Sequence, residues 1–336
     1  MKHTALIVAQ TLAGLVFVVG SAGAETINVS TWANGAPLQE TVIATQPELL
    51  KMIPADIKWL QISSGPAALA GMKGGAFSIV NAVGNPPVTT AIAKGINLKV
   101  IWAQFYDYAG LVIDSSLTPA TMEGKTFGTL QGASEDFAFN GWLEARGLAG
   151  KVKLVGLERQ AMVAAFKTKA ISGGMNSQPA MGEMINAGGK LVATVSDMAA
   201  LGYPALDVVV ADGDFVAKHP DVVQGYVCAM YKAYEMMTGP NKDAVIRKAA
   251  EFVGADPDKA VNVVTAWPIW KPENELTERG LGAPGKIAEG QVAQAYLRTG
   301  EWLKKTGRLD NPPSMETIVS HIDIQFAQKA LSGGCK

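Results

Sequence analysis

The chain has 336 residues, with 29 Lys plus Arg against 30 Asp plus Glu and a formal net charge of −1. That balance, with no basic run, excludes the charge signature of a nucleic-acid binder. A 48% apolar fraction with 18% charged residues is a globular composition, long enough for two domains of ordinary size.

The N-terminus carries Lys2 and His3, an apolar run over 5–19, and Ser21-Ala22-Gly23-Ala24. This pattern predicts a secretory signal cleaved after Ala24. The run is shorter than the ~20 residues of a membrane span. No cysteine follows it to take a lipid. An exported, periplasmic protein has no access to ATP or diffusible nucleotide cofactors. That argues against a kinase, a dehydrogenase or a transcription factor.

Strand and helix signals then alternate, the pattern of an α/β fold. Strands are expected at 27–32, 57–62, 77–80 and 98–102. Helices are expected at 38–51, 66–74 and 88–94. A second unit opens with strand 110–113 and continues with strand 126–130, helix 134–146, strand 152–155 and helix 160–168. Strands 191–195 and 206–211 follow. From His219 the signals are helical, over 219–238, 240–253, 256–266 and 288–305. The two cysteines, Cys228 and Cys335, form no CxxC pair. Cys228 sits in an apolar stretch that suits a small core residue, and its pairing with Cys335 stays open.

Three strand-to-helix junctions place small polar residues at a helix start: Ser63-Ser64-Gly65, Gly84-Asn85 and Ala133-Ser134. Such ends offer free N–H groups and the positive end of the helix dipole to an anion. The same residues also serve as ordinary N-caps. Glu135 and Asp136 oppose an anion at the third junction unless both side chains turn away. Aromatic residues follow several strands: Trp32, Phe105-Tyr106-Asp107-Tyr108, Tyr203, and the pair Trp267 and Trp270. They suit the walls of a small pocket or ordinary packing. Asp207 opens an apolar strand, where a carboxylate needs a partner. A ligand amine, an internal cation or backbone N–H groups each fit. Gln178 offers a further polar contact. His219 and His321 stand in no metal-binding pattern. There is no G-x-S-x-G, P-loop or G-x-G-x-x-G. The sequence thus points to no catalytic group, no cofactor and no metal.

Several stretches carry a family resemblance in order and spacing over residues 27–305. They are Ser64-Gly65 before an Ala-rich helix, Gly84 before the Pro pair, and Met122–Gly128. Gly202–Val210 and Asp214–Val223 complete the set. The chain resembles the periplasmic solute-binding proteins of ABC importers, in the taurine/nitrate/aliphatic-sulfonate group. The resemblance implies a two-lobed type II periplasmic-binding-protein fold with two hinge crossings. Lobe one would be 25–110 plus 207–336, and lobe two 111–206. It implies a monomer that binds a small anionic or zwitterionic solute, with taurine or a related amino-sulfonate favoured, and delivers it to the permease. The ligand set would be Trp32, Asn34, Ser63, Ser64, Gly65, Asn85, Tyr108, Ser134, Gln178, Tyr203, Asp207 and Trp267, with Asp207 on the amine. Ala36, Asn85-Pro86 and Ser177-Gln178-Pro179 depart from the family's pattern. These departures suit another amino-sulfonate, an amino acid derivative or another organic anion. A pyrimidine-synthesis enzyme on the same fold is the remaining alternative. It would call for reactive His and Cys residues near the cleft and a cytosolic location, whereas this chain has a signal and only three His.

Overall fold

Short apolar runs punctuated by Gly, Pro, Ser or Asn form most of the ten strands that the described residues arrange in two sheets. The computed structural model describes residues 25–32, 38–104, 109–266 and 269–335. In chain order the elements are β1 (Thr26–Trp32), α1 (Gln39–Thr45), α2 (Pro47–Leu50), β2 (Asp56–Ile62), α3 (Gly65–Lys73), β3 (Ile79–Gly84), α4 (Asn85–Ala93) and β4 (Leu98–Gln104). Then come β5 (Ala109–Asp114), β6 (Thr126–Thr129), α5 (Ser134–Ala145), β7 (Lys153–Gly156), α6 (Arg159–Lys167), β8 (Gly173–Ser177), α7 (Ala180–Asn186), β9 (Gly189–Thr194) and α8 (Val195–Ala200). The chain closes with β10 (Asp207–Asp212), α9 (Gly213–Lys218), α10 (Pro220–Thr238), α11 (Lys242–Phe252), α12 (Pro257–Ala266), α13 (Gln291–Lys305), α14 (Met315–Ser320) and α15 (Gln325–Lys329).

The sheets have the orders β2-β1-β3-β10-β4 and β7-β6-β8-β5-β9. This is a two-lobed α/β architecture. The chain passes between the sheets twice, after Gln104 and before Asp207. Each passage delivers a strand that runs against its neighbours. β5 is antiparallel to β8 and β9, and β10 is antiparallel to β3 and β4. The first residue of each crossing strand therefore lies at the carboxyl ends of the parallel strands. Asp207 pairs with Gly84 and Gln104, and Ala109 pairs with Ser177.

One buried apolar cluster packs on the first sheet, and two flank the second. The outer edge of β4 is covered. Val100 donates its N–H to the His321 carbonyl (2.7 Å), and Asp323 donates its N–H to the Val100 carbonyl (2.9 Å). Ala103 donates its N–H to Glu275 Oε2 (2.9 Å). A sheet edge closed in this way offers no template for further strands.

Two of the differences from the sequence expectation have a clear physical reason. The helix expected over 38–51 breaks at Gln46, which is extended, because a residue before proline is driven out of the helical region. β8 has the sequence Gly-Gly-Met-Asn-Ser, poor in strand formers, and carries no strand signal. Glycine is required there by proximity. A Cβ on Gly173 would collide with the Val112 carbonyl, and one on Gly174 with the Met162 side chain.

Cys228 on α10 and Cys335 in the tail form a disulfide across 107 residues. The bond pins the C-terminal segment to the helical layer of the first sheet. In the chain-entropy model, a loop of that length contributes about 4.7 kcal/mol by restricting the unfolded chain. Reduction, or Cys335→Ser, should lower the urea-unfolding free energy by up to that amount. Two free thiols in the denatured, unreduced protein would show that the pair does not form.

Candidate functional site

The carboxyl ends of both sets of parallel strands face one another where the sheets meet. Gly84, ending β3, stands against Ser134, starting α5. A Cβ on Gly84 would lie 3.0 Å from Ser134 Oγ. In open α/β sheets this edge is where ligands bind.

The three junctions are not equivalent as anion sites. In α3, Ser64 Oγ caps Ala67 N–H (3.4 Å) and Pro66 has no N–H, so Gly65 holds the one uncommitted donor of the first turn. In α4, Pro86 and Pro87 delete two donors. The Asn85 side chain is engaged within the fold. It donates to Thr299 Oγ1 (2.6 Å) and accepts the Leu206 N–H (3.4 Å), so it ties α13 and the second crossing to α4. In α5, by contrast, no side chain caps the first turn and no proline interrupts it. Ser134, Glu135 and Asp136 keep their N–H groups.

Both acids of that turn are drawn off the helix axis. Asp136 is fully buried. It accepts hydrogen bonds from Gly132 N–H (3.0 Å), Asn140 Nδ2 (3.0 Å) and Thr129 Oγ1 (3.3 Å). Arg308, from the segment after α13, donates to it at 2.7 Å. Glu135 pairs with Arg159 Nη2 (3.0 Å), and Arg159 Nε donates to Ser177 Oγ (2.7 Å). Ser134 Oγ donates to Glu135 Oε2 (3.2 Å).

Asp207 is partly buried and no hydrogen bond reaches its carboxylate among the described residues. Burial pushes its carboxyl well above the usual carboxylate range, and the charges of Glu135 and Glu40 push it further, while Arg159 opposes them. Tyr296 of α13 lies under its charge, with a buried hydroxyl that has no partner among the described residues. Behind this group runs a buried polar chain. Trp32 Nε1 donates to the Asn81 carbonyl (3.2 Å), and Tyr226 donates to Asn81 Oδ1 (2.9 Å). Asn81 Nδ2 donates to the Ser30 carbonyl (2.8 Å).

The structure thus brings Gly65, Asn85, Ser134 and Asp207 to one edge, with Ser63 and Ser64 exposed at its rim. Trp32 is there too, with its indole N–H committed to the backbone. Gln178 Oε1 accepts the Gly182 N–H (3.2 Å) at the start of α7. Tyr203 is not at this edge. Its ring sits over Gly141, seven residues down α5 and about 10 Å along the axis from Ser134. There it packs on Phe137 beside Trp302, and burial raises its hydroxyl pKa. The Gly141 gap and the apolar ring explain that seat. Trp270 is buried and donates to Glu275 Oε1 (2.9 Å), away from solvent. Asn34, Tyr108 and Trp267, like the segment 1–24, lie outside the described residues.

Sequence reasoning missed Arg159 and Glu40. Arg159 opens α6 just after β7, at the same kind of junction as the three already named. Glu40 is an acid among Leu38, Val42 and Ile43, a pattern that reads as a solvated helix face until its neighbours are known.

A family model described as "NMT1-like family" matches residues 66–254. The taurine-binding periplasmic protein of Escherichia coli (strain K12) is 23% identical over 326 residues, covering 94% of this chain and 97% of that protein. The crystal structure of the periplasmic aliphatic sulphonate binding protein from Escherichia coli aligns with a TM-score of 0.72 at 16% identity, over 88% of this chain and 92% of its own. The alkanesulfonate-binding protein from Xanthomonas axonopodis pv. citri, solved bound to MOPS, aligns at 0.69 and 17% identity, over 90% and 100%.

The Arg308–Asp136 pair holds the α5 start in place. Arg308→Met should cost about 2 kcal/mol in urea unfolding, because Asp136 would lose its one cation while staying buried. A loss under about 0.5 kcal/mol would show that the loop hydrogen bonds alone suffice.

Proposed function

The chain belongs to the NMT1-like family, and from that premise we propose that it is a solute-binding protein of an ABC importer. Its cargo is a small zwitterionic or anionic solute, with an amino-sulfonate such as taurine favoured. The observation that carries this reading is the pairing, at one sheet edge, of an uncapped α5 N-terminus with the carboxylate of Asp207, which has no hydrogen-bond partner among the described residues. The first suits a sulfonate or carboxylate head and the second an ammonium group. Arg159 stands within charge range of Asp207, and the guanidinium N–H donors that Glu135 and Ser177 leave suit an anionic head as well. The names of the relatives support the class of cargo.

In this reading 25–110 and 207–336 form lobe one and 111–206 lobe two, and the two passages between sheets act as the hinge. The chain works outside the cytoplasm after cleavage behind Ala24. It acts as a monomer, presents the loaded cleft to a membrane permease and performs no chemistry on the solute. The ligand groups are the N–H donors of Gly65 and of the Ser134 turn, the side chains of Ser63, Ser134, Arg159 and Asp207, and the ring of Trp32. Asn34, Tyr108 and Trp267 belong to the same proposal, as does Gln178.

Calorimetric titration with taurine, alkanesulfonates and amino acids tests this directly. One of these should bind with micromolar or tighter affinity, and at 100 times its Kd should stabilise the protein by about 2.7 kcal/mol. Asp207→Ala should weaken an amine-bearing ligand about tenfold to a hundredfold. A panel in which nothing shifts the melting temperature sinks the assignment of cargo.

A further inference from the structure

Glu40 is fully buried in the first turn of α1, at the carboxyl end of β1. Gln104, the last residue of β4 and the register partner of Asp207, donates Nε2 to Glu40 Oε2 (3.1 Å). The orientation of that amide is fixed, because Gln104 Oε1 accepts the Ala82 N–H (2.9 Å). Ala82 itself holds a positive φ of 50°, a conformation that costs energy for a residue with a Cβ. The other Glu40 oxygen, Oε1, is buried and has no hydrogen-bond partner among the described residues. An orphaned buried carboxyl oxygen is expensive, and a fold keeps one where something else supplies the missing contact.

No cation supplies it among the described residues. Burial raises the Glu40 carboxyl, its own backbone N–H and the Gln104 side chain oppose that, and no charged group of α2, α10 or α11 offsets it. Tyr226 of α10 lies within range of its charge, but its hydroxyl donates to Asn81. Asp207 lies within range as well, and it too has no hydrogen-bond partner among the described residues. Arg159, the cation nearest Asp207, is engaged by Glu135 and Ser177. Two carboxyl groups that feel one another oppose each other's ionisation, and an added positive charge relieves both.

We infer that Glu40 is a second acceptor of the ligand site and, with Asp207, receives the cationic end of the solute. The cargo therefore carries a protonated amino or amidinium group with at least two N–H donors, beside whatever anion the α5 turn holds. This rests on the solute-binding reading above and narrows it. Before binding, Glu40 keeps its proton up to about pH 7, because burial raises its carboxyl from the usual 4.5. Binding of a cation then drives that proton off. The raised value also sets the pH profile of the empty protein. The contribution of Glu40 is fully present below pH 4.5 and is lost as pH rises through about 7.

The experiment compares taurine, ethanesulfonate (the same anion without the amine) and ethanolamine (the amine without the anion) by calorimetry. Titrations run at pH 6 and 8 in two buffers of different ionisation enthalpy, on the wild-type chain and on Glu40→Gln. Wild type should prefer taurine to ethanesulfonate by tenfold or more and release a proton on binding near pH 7. Glu40→Gln should collapse that preference and reduce the proton release. Its ligand-free melting temperature should equal or exceed that of wild type at pH 8, with a flatter profile between pH 4.5 and 8.

Equal affinity for taurine and ethanesulfonate in wild type would overturn the inference and leave the transport reading standing. A Glu40→Gln protein that keeps the full preference, or melts earlier at pH 8, would overturn it too. Binding of ethanolamine as tight as that of taurine would support the inference and remove the anion from the proposed cargo. If wild type binds none of the three, the assignment of cargo fails by itself. The ligand-free profile then judges Glu40, and an unflattened one overturns its role.

Discussion

Everything at the candidate site follows from one topological constraint. Each sheet takes in a strand that has just crossed from the other, and that strand must run antiparallel to the strands beside it. Its first residue is thereby placed among the last residues of the parallel strands. This is how Asp207 comes to stand beside Gly84 and Gln104, residues more than a hundred positions earlier. The same geometry sets Ala109 against Ser177. A carboxylate at the start of an apolar strand, which elsewhere would be a solvated end, is set among the ends of the parallel strands.

The C-terminal part of the chain holds the two sheets in relation. α13 lies on α4 through Asn85 and Thr299, and its far end reaches α5 of the other sheet. There Trp302 meets Phe137, Lys305 pairs with Glu144, and Arg308 meets Asp136. Arg298 donates to the Gly202 carbonyl of the second crossing (2.8 Å). The Lys305–Glu144 pair is exposed and contributes little. The weight falls on the apolar contact and on Asp136, whose buried charge needs Arg308. A segment that follows the last strand in sequence thus steadies the helix start whose N–H groups remain free.

The electrostatics of the edge are asymmetric. Glu135 has a guanidinium partner and Asp136 another, whereas Asp207 and Glu40 form no ion pair among the described residues. Desolvation outweighs the charge of Arg159 at Asp207 and the hydrogen bonds at Glu40, so burial drives both toward the protonated form. Each is paid for in stability, and such groups concentrate where proteins meet ligands.

Much was legible in the residues themselves. Apolar periodicity and Gly or Pro punctuation mark nine of the ten strands and the alternation that makes the fold α/β, because those signals are local. Ser64 and Ser134 were visible as helix starts for the same reason. β8 was not, since a strand of glycines is dictated by how closely Val112 and Met162 approach it. The sequence marks all three junctions alike, yet the prolines of α3 and α4 and the internal bonds of Asn85 leave α5 as the open one. Tyr203 reads as a pocket wall until Gly141 is found beneath its ring. The Cys228–Cys335 bond, the Arg308 anchor and the orphaned oxygen of Glu40 join residues 107, 172 and 64 positions apart from their partners or neighbours. Sequence by itself determined the elements and their class, because helix and strand preferences act over a few residues. Tertiary structure alone decided which polar groups are satisfied, because a partner from a distant strand or helix leaves no mark on the residues around it.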